Sequence, residues 1–230
     1  MRVRLAATAL GTTAALLTVP ACSTGTTTPR PAQASSPHTG TPSETGHKGA
    51  LLRPAELDQR LLDESDLDAA YTRTPEPPSR NDDITVLGCP ALARLGDDAV
   101  TGGSLDFPRR AKTAFTYAGT SGSELSEELY SDTADTLSKD TGRIFDAMAC
   151  PKYRLRTGTS DITVTTRQTS APRLGAEQWS HLLTFSAHGA DTVMKQTAIR
   201  DGSTLLVVSG SPALVDQHLH RAYTKATSSR

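Results

Sequence analysis

Aromatic side chains make up 4% of the 230 residues, with a single tryptophan, Trp179. A surface that grips nucleic acid by stacking bases needs more rings than this. Asparagine occurs once, as Asn81, and Asp82-Asp83 follow it, so the chain has no N-glycosylation sequon. Neither charge sign dominates: 24 Lys and Arg against 25 Asp and Glu give a net charge of −1. Loss of residues 1–21 would remove Arg2 and Arg4 and no acid, leaving −3. That balance argues against a polyanion-binding role, nucleic acid included. Long apolar runs are missing as well; the one near the start is too short for a permanent bilayer span. Catalytic signatures are equally scarce. AGTSGS and VSGSP have the wrong spacing for a nucleophile elbow, and neither a P-loop, a dinucleotide fingerprint nor H-E-x-x-H occurs. No cofactor is implied.

Cysteine is scarce too, and its placing is informative. The three are Cys22, Cys89 and Cys150. Arg2 and Arg4 form a positive tip, Leu5 to Val19 carries no charge, and Pro20-Ala21 brings small residues to a cleavage point. Residues 1–21 therefore read as a signal peptide. Val19-Pro20-Ala21-Cys22 resembles the lipobox of bacterial lipoproteins, in which the cysteine takes a diacylglyceryl group and becomes the new N-terminus. Pro20 departs from the usual residue there, and the competing reading is a secreted protein with a stray thiol. Two acyl chains hold a protein stably to a membrane where one does so only marginally. The expected address is the extracytoplasmic face of the cell membrane, with the membrane as partner through the lipid on Cys22.

Residues 22–50 follow as a Ser/Thr/Pro-rich tether with hardly an apolar side chain. Such a stretch cannot bury enough surface to offset its ordering entropy. As a flexible coil it would span on the order of 30 Å.

Residues 51–230 read as one α+β domain. A helix is expected near 54–62, opened by Pro54 and striped by Leu57, Leu61 and Leu62. CPALARL is a second, short helical candidate. Lys112 to Tyr117 reads as a strand with Thr113, Phe115 and Tyr117 on one face. Ser121 and Glu124 have capping-box spacing, which predicts a long helix with Leu125, Leu129, Leu137, Ile144, Phe145 and Met148 as its stripe. Gly142 is a candidate kink, and Pro151 should stop the helix near Cys150. Beyond it the period becomes two. Strands are expected around Ile162–Thr166, Trp179–Phe185, Thr192–Arg200 and Thr204–Ser209, with Asp201-Gly202 as a hairpin turn. Ser211 and Pro212 open a last helix. The expectation is an antiparallel sheet of about 4–6 strands with helices packed on one face.

Cys89 and Cys150 each precede a proline inside this domain. In an oxidising compartment two such thiols tend to pair. The competing readings are a redox pair, which lacks Cys-x-x-Cys spacing, and two buried free thiols. Among other candidates, His218 and His220 are two apart on a helix and cannot share a metal. His181 shares a strand face with Trp179 and Phe185 and reads as packed. The acidic run Asp63, Glu64, Asp66, Asp68 lacks the glycine and distal glutamate of an EF-hand and reads as a solvated loop, as do Asp82-Asp83 and Asp97-Asp98. Arg109-Arg110 is too small a cluster for a phosphate site.

The stretch LLRPAELDQRLL…SDLDAAYT, the single CP, the helix ending in ACP, Pro172-Arg173-Leu174-Gly175, and LLVVSG before a closing helix form a further pattern. Together they resemble the actinobacterial extracytoplasmic sensor domain carried by the PknH-type serine/threonine kinase and by stand-alone lipoproteins. The resemblance covers roughly residues 51–227. It implies a strongly curved antiparallel sheet, helices on one side, and a concave cleft that binds a ligand. This chain departs from the kinase version in having one cysteine pair, no kinase and no transmembrane helix. The leading expectation is a non-catalytic, lipid-anchored domain that binds a small ligand or an envelope partner. An envelope enzyme without a readable motif and an accessory subunit of a membrane complex are the alternatives.

Overall fold

A computed structural model describes residues 50–75, 84–95, 105–119 and 123–228. The expected signal peptide, Cys22, the expected tether up to residue 49, Asp82-Asp83, Asp97-Asp98 and Ser121 lie outside the described residues.

The described residues form nine strands and four helices. In chain order these are α1 (Pro54–Asp58), β1 (Tyr71–Arg73), β2 (Ile84–Leu87), α2 (Pro90–Ala93), β3 (Arg110–Tyr117), β4 (Ser123–Ser131) and α3 (Ala134–Ala147). Then come β5 (Lys152–Thr157), β6 (Ser160–Gln168), β7 (Glu177–Ala187), β8 (Ala190–Asp201), β9 (Thr204–Gly210) and α4 (Pro212–Thr227). All nine strands join one antiparallel sheet in the order β1-β3-β4-β9-β8-β7-β6-β5-β2. The fold is α+β as expected, but the sheet exceeds the 4–6 strands read from the sequence.

Two corrections account for much of the difference. Residues 123–131 are a strand and not the first half of a helix. Leu125 and Leu129 are four apart, a spacing that fits one face of a helix and, being even, one face of a strand. In the fold Leu125, Glu127, Leu129 and Ser131 all point the same way and are all buried. The charged Glu127 within that row disguised the alternation. The helix begins at Ala134, where Thr133 accepts a hydrogen bond from the Thr136 amide at 3.2 Å, and it runs through Gly142 to Ala147. The second correction concerns β5. Its sequence, KYRLRT, alternates polar and apolar residues with Tyr153 and Leu155 buried, a signal as regular as that of the strands read correctly.

Helices cover both faces of the sheet, which replaces the one-face arrangement. Consecutive residues of a strand point to opposite sides, and here both sides are buried. Leu206, Val208 and Ile199 pack with Leu57, Leu214, Val215 and Leu219 of α1 and α4. Their immediate neighbours Leu205, Val207 and Ala198 pack with Leu137 and Phe145 of α3. The α3 side continues across Leu183, Val164, Tyr153 and Leu155, where Leu92 of α2 and Met148 close the core. Gly210 ends β9 at φ +142°, and a Cβ there would lie 2.1 Å from the Glu124 carbonyl oxygen. Only glycine lets β9 close against β4 at that point.

Candidate functional site

Among the described residues, the covering on the side of α1 and α4 stops at β8. Leu182, Thr184 and Ser186 of β7, Thr163, Thr165 and Arg167 of β6, and Lys152, Arg154 and Arg156 of β5 continue that face, and none of them belongs to a core cluster. The strand register arranges them as a grid. One row runs Arg167–Leu182–Lys195 and the next Lys152–Thr165–Thr184–Val193. A third runs Arg154–Thr163–Ser186–Asp191, with Arg156 beside Asp161 beyond it. Four hydroxyls thus sit together between cations on the β5 side and the β8 border. Val193, 41% exposed, is the one large apolar side chain standing clear of the surface there.

The charges on this face are unevenly compensated. Arg156 forms a two-pronged pair with Asp161, Nε to Oδ1 at 2.7 Å and Nη2 to Oδ2 at 3.0 Å, and Arg154 reaches the same carboxylate at 3.4 Å. The Arg156 guanidinium holds the Asp161 carboxyl below its ordinary range. At the border, Lys195 pairs with Asp216 of α4. Lys152 and Arg167 are exposed and, among the described residues, neither enters an ion pair. Cations line one edge of the face in a chain that is slightly acidic as a whole.

A concavity lies on the other side of the sheet, between α2 and α3. It is an open groove of about 730 Å³ with Ala91, Leu95, Gly142 and Ala147 in its floor and Arg94, Lys139, Arg143 and Asp146 at its rim. The Cys89–Cys150 disulfide ties its walls, joining the residue before α2 to the segment after α3, with Cα atoms 6.0 Å apart. Two of the groove's four charged side chains have partners within it or beside it. Arg143 pairs with Asp140, and Arg94 Nε donates to the Pro90 carbonyl.

The histidines and carboxylates considered from the sequence are dispersed. His218 is buried against Tyr71, whose hydroxyl lies 2.7 Å from its Nε2, while His220 is exposed. His181 is buried under α3, its ring 5.2 Å from that of Phe145, and burial pushes its pKa down. The acidic run is a network of turns. Asp66 accepts from the Asp63 amide, Asp68 from the Ala70 amide, Glu64 from the Arg73 amide, and Lys225 bridges Asp63 and Asp66. Arg110 opens β3 next to Lys112, which pairs with Glu128. Of the three cysteines, the fold brings Cys89 and Cys150 together. The cationic row of β5 was absent from the sequence-level candidates because the strand itself was unread.

No protein-family model matches this sequence, and no curated protein matches it. Among solved structures the fold is similar to the extracellular domain of PknH from Mycobacterium tuberculosis, with a TM-score of 0.56 and 10% identity. The match covers 77% of this chain and 95% of that one. Similarity at this identity establishes a shared fold and nothing of the site.

Proposed function

We propose that this protein is a non-catalytic binding module of the cell envelope, held at the extracytoplasmic face of the membrane by a diacylglyceryl group on Cys22. The observation that carries the reading is the open half of the sheet. On the α3 side the sheet is covered from β9 to β2, yet on the other side no core cluster of the described residues reaches past β8, and β7 to β5 present hydroxyls and cations. Such a face offers hydrogen bonds and charge to a partner without a reacting constellation. The shared fold with an extracellular domain supports the location, and the disulfide suits an oxidising compartment.

Anchoring is tested by Cys22→Ala. The variant is expected to leave the membrane fraction or to keep residues 1–21, both readable by fractionation and intact-mass measurement. A variant that remains membrane-bound and fully processed defeats the anchor. Binding is tested by retention of the protein on isolated cell walls. No retention on any wall preparation and no co-purifying partner would count against the module.

A further inference from the structure

Resting on that reading, we infer that the open sheet face recognises a linear anionic polymer of the envelope built on phosphodiester repeats. Lys152, Arg154 and Arg156 are successive same-face residues of β5, so they stand in a line about 7 Å apart, twice the rise of a strand residue. Arg167 extends that line by one step on the neighbouring strand. A line of cations matches a chain that carries one negative charge per repeat. Thr163, Thr165, Thr184 and Ser186 flank it and can both donate to phosphate oxygens and accept from polymer hydroxyls.

Other anionic partners fit less well. A membrane surface would favour protruding apolar side chains for insertion beside the cations, and on this face Leu182 is half-buried and Val193 alone is exposed. A single phosphate would be met by a convergent cluster, whereas these cations are spread along a strand. Three same-sign side chains in succession on one strand face also repel each other, and Asp161 relieves only Arg154 and Arg156. Lys152 and Arg167 retain their charge for a partner. The net charge of −1 conceals this, because most of the chain's acids lie elsewhere; on this face Asp161 pairs with Arg154 and Arg156, Asp216 with Lys195, and Asp191 stands at the β8 end of the third row.

The test uses the full chain in detergent and fluorescent poly(glycerol phosphate). Binding is expected to weaken with salt, with a log–log slope between about −2 and −3 for three to four phosphate contacts on a flexible strand. Lys152→Gln with Arg167→Gln should weaken it about tenfold or more and cut the slope by about 1.4, with unchanged thermal melting. Lys139→Gln with Arg143→Gln removes the same charge at the α2–α3 groove and should leave affinity within about twofold, as expected for residues that make no phosphate contact. Unlabelled polymer should displace the probe at far lower phosphate than glycerol 3-phosphate or short-chain phosphatidylglycerol. Absent or salt-independent binding overturns the inference. So does an equal loss from the groove pair, or displacement by phosphatidylglycerol as effective as by polymer. Walls stripped of phosphodiester polymer by acid separate the two levels of the claim. Retention on stripped as on intact walls overturns the polymer while the binding module stands, and retention on neither defeats both.

Discussion

Glu127 sits at the centre of β4 with 1% of its surface exposed. Its Oε2 accepts from the Leu62 amide at 2.8 Å, and its Oε1 has no partner among the described residues. Thr113, directly across the register on β3, likewise leaves its hydroxyl unpaired. Burial pushes the Glu127 pKa up to about 8; the Leu62 amide and Lys225 oppose this, and Asp66 adds to it. The acid is thus protonated in the fold at pH values where the unfolded chain, with its ordinary pKa of 4.5, has released the proton. Binding more protons when folded means stability falls as pH rises through that window and levels off above about 8. The fall is at most about 1.4 kcal/mol per pH unit. Glu127→Gln keeps the acceptor for Leu62 and removes the titration. Its denaturation midpoint should exceed wild type at pH 9 and converge with it near pH 5. A wild-type midpoint that rises from pH 5 to 8 would show that the carboxyl is ionised in the fold. The residue was visible in the sequence, but only as a charge on an imagined helix surface, since burial depends on the strands that β4 pairs with.

At the scale of elements, the disulfide joins two pieces that would otherwise be held weakly. Helix α2 has four residues, too few to be stable alone, and Leu92 is its only buried side chain. The bridge spans 61 positions of sequence and fastens α2 to the end of α3, beside Met148 and Tyr153. Chain entropy puts its contribution at roughly 4 kcal/mol as an upper figure. Cys89→Ser with Cys150→Ser should lower the unfolding free energy by about 2–4 kcal/mol in urea titration and loosen α2 first. An unchanged midpoint would mean that packing alone holds α2. The pairing was legible because the expected export, the cysteine count and the two Cys-Pro steps left few other uses for these thiols. The last helix was legible too, since Pro212 and the buried Leu214, Val215, Leu219 and Ala222 repeat at helical spacing. β1 was not, because three residues at a sheet edge carry no period of their own.

The whole molecule is ordered around β9 and β8. β9 and the Thr197–Ile199 part of β8 are central, buried on both sides, and enclosed between α4 and α3. Exchange of amide hydrogens should therefore be slowest in Leu205–Val208 and Thr197–Ile199, and fastest among the strands in β1 and β2 at the two edges. Edge strands that exchanged as slowly as β9 would contradict this hierarchy. The same layout decides which surface is free. α4 follows β9 directly and packs back over β9, β8 and β4, so its length ends the covering of that face near β8. On the opposite side α3 and α2 reach from β9 to β2.

The sequence by itself determined the α+β class, the hairpin after β8, the final helix and the cysteine partnership. Each of these is written in local period, turn chemistry or compartment. Only the tertiary structure decided that the sheet has nine strands, that helices cover both of its faces, and that five cations share one surface. Those outcomes depend on which strands become neighbours, and pairing across the chain is set by the fit of buried faces rather than by any local pattern. Net charge is a sum that ignores position. The fold sorts the same residues into a buried acid, ion-paired loops and a cationic face.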